Sequence, residues 1–247
     1  MKQMKLVVFG CVVIVGFAGC NLAMVVPGSG ISATEDRPVN DFSEISFAGS
    51  ATATVVCGQD ASLVVTVDDN LMESIKTSVK DGELSIYSEG NISPSANHDY
   101  QIATQSLNAL TINGSGQFDI QNCNTDKLYL QINGSGNIVV TGTVEDVNVS
   151  IAGSGRTDLS QLTAATASID IMGSGRATVN ASNSINVSIT GSGRIEYSGS
   201  PEIKKQIIGS GSIRQIKTAP NSNGDEAEKN AVEEESDDDS SDEEDEN

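Results

Sequence analysis

The chain has 247 residues, a formal net charge of −20, 4% aromatic residues and no tryptophan. The excess of acidic residues excludes nucleic acid as an expected partner, because phosphate binding requires clustered lysines and arginines. The shortage of large rings predicts a core of isoleucine, valine and leucine in thin layers. The charge is concentrated at the C-terminus, where residues 225–247 contain 14 acidic residues and one lysine.

Residues 1–19 have the pattern of an export signal, with two lysines before an apolar stretch that is too short to span a bilayer. The segment Ala18-Gly19-Cys20 resembles the lipobox of bacterial lipoproteins, in which the signal is cut before the cysteine and the thiol carries lipid. This resemblance implies a lipid anchor at Cys20. Asn21, in place of aspartate, implies sorting to the outer membrane. The alternative is an ordinary secretory signal, with Cys20 unlipidated.

Residues 20–36 are predicted to be a polar tether that includes Gly28-Ser29-Gly30, and residues 37–218 to be a single β domain. From residue 42 to residue 90, apolar side chains alternate with polar ones, which is the strand period. Gly49-Ser50 has the sequence of a degenerate corner within this portion. A loop over residues 92–100 is expected to join it to a regular array.

A Gly-Ser-Gly triplet returns every 18 to 20 residues in that array, and the residues on both sides of it alternate with period two. A unit this short cannot bury a core alone, so the coils must stack. The sequence therefore predicts an all-β parallel β-helix, or β-solenoid, with each coil built as strand, glycine corner, strand and return loop. The corner glycines are Gly114, Gly116, Gly134, Gly136, Gly153, Gly155, Gly173, Gly175, Gly191, Gly193, Gly209 and Gly211.

Three arginines, Arg156, Arg176 and Arg194, take the same position after the corner in consecutive coils. Because Asp158 and Glu196 lie two positions further on, one interpretation is a solvated ladder of salt bridges. The other interpretation is a basic strip that binds an acidic glycan or a lipid head group. The outward positions before the corner are small and polar, and they either face water or hydrogen-bond to a polymer or partner.

The sequence indicates no catalytic site, cofactor or metal site. The lone His98 has no recognisable serine or cysteine partner, and no cluster of histidine and cysteine suggests zinc. Asp119 and Asp158 could share a face, as the two carboxylates of a glycosidase must, so the alternative function is a polysaccharide lyase or hydrolase. Cys57 and Cys123 are predicted to be free thiols, with a disulfide as the alternative.

Residues 219–247 are predicted to be disordered, because runs of like charge repel and contain little apolar surface to bury. Pro220 ends the last strand, and the charge that follows would guard the open edge of the solenoid against stacking. An oligomer contact at this edge is the alternative. The sequence leaves the oligomeric state open.

Four upstream segments, together with the array, resemble one bacterial family, described as "putative auto-transporter adhesin, head GIN domain", over roughly residues 37–217. The resemblance implies a right-handed parallel β-helix, related in shape to pectin lyases but without their catalytic residues, and a role in adhesion. We therefore expect a non-catalytic, lipid-anchored envelope protein whose solenoid binds a glycan, a cell or another envelope component, or is purely structural. The four segments are Arg37-Pro38-Val39, Phe42-Ser43-Glu44-Ile45, Asp68-Asp69-Asn70-Leu71-Met72 and Gly82-Glu83-Leu84-Ser85-Ile86.

Overall fold

A computed structural model describes residues 25–216, which form β-strands and one short 3-10 helix. The predicted signal, Cys20 and the predicted acidic tail from residue 219 lie outside the described residues. Between residues 25 and 216, no helix has the length and apolar character needed to cross a membrane.

The N-terminal half consists of short strands that include antiparallel pairs. These elements are β1 (Val25–Pro27), β2 (Ser32–Arg37), β3 (Glu44–Gly49), β4 (Thr52–Cys57), β5 (Ser62–Asp68), the 3-10 helix (Asp69–Ser74), β6 (Ile75–Lys80), β7 (Glu83–Ser88), β8 (Asn91–Ser93) and β9 (Asp99–Thr104). The C-terminal half consists of parallel strands. They are β10 (Ala109–Gly114), β11 (Gln117–Gly134), β12 (Asn137–Gly153), β13 (Arg156–Gly173), β14 (Arg176–Gly191), β15 (Arg194–Ser198), β16 (Glu202–Gly209) and β17 (Ser212–Gln215).

The parallel strands stack into the predicted β-solenoid. On the side before each corner, the order is β16-β14-β13-β12-β11-β10-β3-β7-β6, and on the side after it the order is β17-β15-β14-β13-β12-β11-β4-β9-β5-β2. The strands β11 to β14 each run from one corner to the next. The expected return loop is instead a bulge within the strand, seen as a shift of register between Ile120 and Cys123. Each coil is thus one bent strand with a single sharp corner.

The first glycine of every corner belongs to one continuous ladder. Gly49 pairs with Gly114, which confirms that Gly49-Ser50 is a degenerate corner of the same series. The ladder runs through Gly49, Gly114, Gly134, Gly153, Gly173, Gly191 and Gly209. The repeat in the sequence therefore corresponds to a repeat in space, with coils separated by about 4.8 Å, the spacing of paired strands.

The two glycines of a corner are required for different reasons. Gly173 has a φ of +124°, and a Cβ there would lie 2.5 Å from the carbonyl oxygen of Gly153 in the coil before. A Cβ on Gly175 would lie 2.6 Å from the Cγ2 atom of Ile151, in the core. The first position thus needs glycine for its backbone conformation and close backbone approach, and the second needs it for packing.

The core of the array is aliphatic, as its composition predicts, and its buried residues form columns such as Ile112, Ile132, Ile151, Ile171 and Ile189. Rings gather where the array meets the N-terminal half. Phe47 packs edge-on against Phe118 and Tyr100, with ring centroids 5.2 and 5.9 Å apart. Large rings therefore fill the core at this junction.

Residues 25–36 differ from the predicted tether. β2 pairs antiparallel with β5, and β1 pairs with β8, so this segment is part of the folded domain. The carboxylate of Asp68 is fully buried and accepts the backbone N–H groups of Gly30 at 2.6 Å and Ser95 at 2.9 Å, and that of Ala96. One buried acid therefore holds the N-terminal segment against the loop before β9, which explains why a polar Gly-Ser sequence is ordered here.

Arg37 holds the same end of the fold from its other side. Its guanidinium donates to the carbonyl oxygen of Ile75 at 2.6 Å and to that of Met72 at 3.1 Å, and forms an ion pair with Glu35 at 3.1 Å. These bonds satisfy carbonyl groups at the end of the 3-10 helix, which has no further turn to receive them. The N-terminal end of the solenoid is thus closed by antiparallel strands and a short helix.

Candidate functional site

A groove runs along the solenoid on the side before the corners. It has a volume of about 770 Å³ and crosses six coils, from β10 to β16. At five steps of about 4.8 Å each, its length is about 24 Å. Its two outward rows are Ala109, Tyr129, Asn148, Ser168, Asn186 and Lys204, and Thr111, Gln131, Ser150, Asp170, Ser188 and Gln206.

The side chains of the groove are mostly hydroxyls and amides that repeat from coil to coil. The amide pair of Asn133 and Asn113, at 2.8 Å, lies beside the groove. Within residues 25–216, five side chains of the groove make no side-chain hydrogen bond: Asn148, Ser150, Ser168, Asn186 and Ser188. These groups keep their donors and acceptors for a molecule in the groove.

The two ends of the groove differ. Tyr129, with 51% of its surface exposed, stands in a row of small residues at the end nearer β10. Lys204 and Lys205 lie at the other end, in the last complete coil. The sequence predicted a small, polar outward face and missed these lysines, although the pairing of residues 202–209 with residues 184–191 continues the same register.

The three predicted arginines form the column that the sequence indicated, on the side after the corners. Arg156 pairs with Arg176, and Arg176 with Arg194, as neighbours in register. The guanidinium Nε of Arg176 is buried without a hydrogen-bond partner among the described residues. We call Arg156, Arg176 and Arg194 the arginine column.

The salt-bridge ladder offered as one interpretation of this column is absent from residues 25–216. Of the arginines on this face, only Arg214 makes an ion pair, with Glu196 at 2.6 Å. Asp158, the other neighbouring acid, accepts the backbone N–H of Ser160 at 3.0 Å instead. Both acids are therefore bound by groups other than the column, which keeps three like charges at strand spacing.

The residues considered for catalysis are not assembled into a recognisable site in the described part of the chain. Asp119 and Asp158 lie two coils apart, with Val139 between them in the same row. Asp119 accepts a hydrogen bond from Gln121 at 2.8 Å. His98 lies 2.9 Å from the hydroxyl of Tyr100, and burial lowers the pKa of its imidazole, with the charges of Asp99 and Asp68 opposing this.

Residues 41–201 match the model of the family described as "Putative auto-transporter adhesin, head GIN domain". The chain belongs to this head GIN family. No curated protein matches the chain. The family and the stacked coils agree with the resemblance carried by the glycine corners, and they indicate an adhesin-like protein of the cell envelope or cell surface.

Solved structures of similar proteins align with about the same share of this head GIN chain. A protein titled "Putative lipid binding protein" from Parabacteroides distasonis ATCC 8503 is 27% identical, with a TM-score of 0.51, over 78% of this chain and 100% of its own. A "putative adhesin" from Bacteroides fragilis NCTC 9343 is 22% identical, with a TM-score of 0.63, over 77% of this chain and 100% of its own. At that identity, the second likeness concerns the fold alone.

Cys57 and Cys123 are both buried free thiols in this head GIN domain. The Cys123 thiol donates to the carbonyl oxygen of Leu107 at 3.9 Å, and the neighbouring Cys57 together with burial raises the pKa of the Cys123 thiol. Cys57 ends β4, and Cys123 follows the bulge in β11, the strand paired with β4. The predicted free thiols are therefore neighbours in the core and no part of either surface site.

Proposed function

We propose that the protein is a non-catalytic, lipid-anchored binding protein of the outer membrane that holds an uncharged stretch of polysaccharide in the groove. The observation that carries this proposal is the repetition of unused hydroxyl and amide groups along about 24 Å of rigid sheet. A glycan chain carries hydroxyl groups at regular intervals, and a row of serine, asparagine and glutamine side chains can both donate to and accept from them.

Tyr129 supports a glycan as the ligand. Its exposed ring gives one apolar face at the end of a polar row, and the apolar face of a sugar ring packs on such a surface while its hydroxyls meet polar neighbours. The groove residues are carried on paired strands rather than loops, so little order has to be gained on binding.

The proposed anchor is Cys20, with residues 21–24 leading into β1. A single acyl chain gives marginal binding to a membrane, whereas a cysteine that carries two or three chains is held firmly. The name of the 27% identical structure, a lipid-binding protein, favours testing lipid at the groove as well. Incorporation of labelled palmitate by the cells that produce the protein, absent from a Cys20→Ser variant, is the expected result for the anchor.

The groove is tested with the full chain carrying Cys20→Ser, applied to an array of neutral glycans, acidic glycans and lipid vesicles. We expect saturable binding to one or more neutral glycans. Ser168→Trp, in the middle of the groove, should weaken it at least about tenfold, equivalent to about 1.4 kcal/mol. The matched control is Thr163→Trp, an exposed position of the same strand on another side of the coil.

Binding that is equal in both tryptophan variants would place the ligand elsewhere, and no binding to any glycan would support a purely structural role. A non-catalytic role also predicts that a bound polysaccharide keeps its chain length after incubation. Cleavage that disappears in Asp119→Asn or Asp158→Asn would instead support the polysaccharide-active alternative.

A further inference from the structure

The arginine column places three of the chain's five arginines side by side on one face of the solenoid. The chain contains five arginines, and four of them, the column and Arg214, lie in the last four coils on the side after the corners. Arg214 is the one of these four that is paired with an acid. The other three stand about 4.8 Å apart with no ion pair among the described residues, an arrangement whose mutual repulsion an anion would relieve.

Neither of the two neighbouring acids forms an ion pair with the column. Glu196 binds Arg214, and Asp158 accepts the N–H of Ser160. Both acids in the row two positions after the column thus have partners outside the column. The occupant that completes the site must bring its own carboxylates or phosphates, in a number that matches three guanidinium groups.

The chain carries such a group of carboxylates a few residues further along the sequence. Residues 225–247, here called the acidic segment, contain 14 acidic residues and one lysine, whereas the column carries three positive charges. Ser212, at the end of the solenoid, pairs with Arg194, so the column begins one coil from the point where the described chain ends. The nine peptide links from Ile216 to Asp225 span up to about 30 Å when extended, and Arg156 lies only about 14 Å from the Ser212 coil.

We propose that the acidic segment binds along the arginine column of its own chain. Attachment through so short a connection gives an effective concentration on the order of millimolar, which allows weak individual ion pairs to act together. The binding covers the column at low ionic strength. It is released by salt or by a competing polyanion, and the arginine column is separate from the glycan groove.

The test measures the reaction of each arginine with phenylglyoxal by mass spectrometry, in two full-length chains that both carry Cys20→Ser. One keeps the natural acidic segment, and in the other the eleven acidic residues between 233 and 246 are replaced by asparagine or glutamine. Arg37 serves as the internal reference, because it is mostly buried and held by an acid within the N-terminal end of the fold. Circular dichroism of both chains verifies that the solenoid is the same.

At about 0.01 M salt, where the Debye length is about 30 Å, we expect Arg156, Arg176 and Arg194 to react at least threefold more slowly in the natural chain than in the neutralised chain. The difference should vanish at about 1 M salt, where the Debye length is about 3 Å. The reference residue Arg37 should react alike in both chains. Equal reactivity of the column in the two chains at low salt would overturn the proposal.

Two further outcomes distinguish other occupants. Acetylation of lysines in parallel shows whether the acidic segment protects Lys204 and Lys205 instead, and such protection without any effect on the arginines would contradict the proposal. Added polyglutamate that protects the column equally in both chains, with no effect of the natural segment, would show an external polyanion as the occupant. None of these results depends on glycan binding, so the two proposals fail separately.

Discussion

Gly173 lies directly next to Gly153 in the corner ladder, where a Cβ on Gly173 would stand 2.5 Å from the carbonyl oxygen of Gly153. The same oxygen accepts the backbone N–H of Ser174 at 2.8 Å. The hydrogen bond that joins the two coils therefore requires an approach so close that a side chain at residue 173 is excluded. This relationship repeats at each corner and explains why the sequence returns to the same triplet.

Gly173→Ala should accordingly be among the most destabilising single changes in the array. The φ of +124° is unfavourable for alanine by about 1–3 kcal/mol, and the clash with the Gly153 carbonyl adds to this cost. Gly58→Ala is the matched control, because Gly58 also has a positive φ, +84°, but a Cβ there meets no atom within 4 Å. Urea unfolding of both variants should give a larger loss for residue 173, and equal losses would contradict the close-approach argument.

The second corner position predicts a coupling between two residues of adjacent layers. Gly175→Ala brings a Cβ to 2.6 Å from the Cγ2 atom of Ile151, so overpacking should cost about 1–3 kcal/mol. Ile151→Ala removes that atom and by itself costs about 2–5 kcal/mol. In a double-mutant cycle, the free energy lost through Gly175→Ala should be smaller in the Ile151→Ala background. Strictly additive losses would show that the clash is relieved by a shift of the backbone instead.

Much of the array could be predicted from the sequence because one physical demand repeats. Period-two alternation and a glycine at each bend determine both the strands and their stacking, and even the degenerate corner at Gly49 was recognisable. The N-terminal end was harder, because its antiparallel pairing depends on distant partners. Residues 25–36 read as a tether, yet Asp68, 38 residues from Gly30, holds them in place. A local pattern carries no sign of such a contact.

The binding surfaces were predicted in part for the same reason. The register of the repeat placed Arg156, Arg176 and Arg194 in one column. The ion pairs on this face could not be predicted from the sequence, because Glu196 could reach either Arg194 or Arg214. Only the side-chain geometry shows that it binds Arg214. The groove was predicted as a polar face, but its volume of about 770 Å³ is a three-dimensional property that periodicity does not encode.

The neighbouring thiols lead to a prediction about reactivity. Cys57 and Cys123 are buried, and the raised pKa of the Cys123 thiol disfavours the reactive thiolate. In a chain of residues 20–247 that carries Cys20→Ser, we expect no reaction with Ellman's reagent in the native state. Two thiols should react after unfolding. Fewer than two after unfolding would show that the pair is oxidised to a disulfide, and fast reaction in the native state would show that the core opens around them.

Asp68 predicts how the stability of the domain depends on pH. Burial by itself would raise the pKa of this carboxyl, but the backbone N–H groups of Ala96, Gly30 and Ser95 favour the charged form and hold the pKa below its usual range. The folded state therefore binds this proton less readily than the unfolded chain. The stabilisation from Asp68 is complete above the ordinary carboxyl pKa of about 3.9 and is lost as the pH falls through the lower value of the folded state.

Asp68→Asn tests this dependence, because the amide keeps the shape of the side chain but removes the charge. At about pH 7 the variant should unfold at lower urea concentration than the natural chain, since three N–H donors lose a charged acceptor and one amide group gains no acceptor of its own. The difference should shrink as the pH falls below about 4, because the carboxyl is protonated there in the unfolded natural chain while the folded chain still holds it charged. Asp119→Asn, at an acid held by a single glutamine side chain, is the control and should change little. A constant difference between the Asp68 variant and the natural chain down to about pH 2 would mean that shape, not charge, holds the N-terminal segment in place.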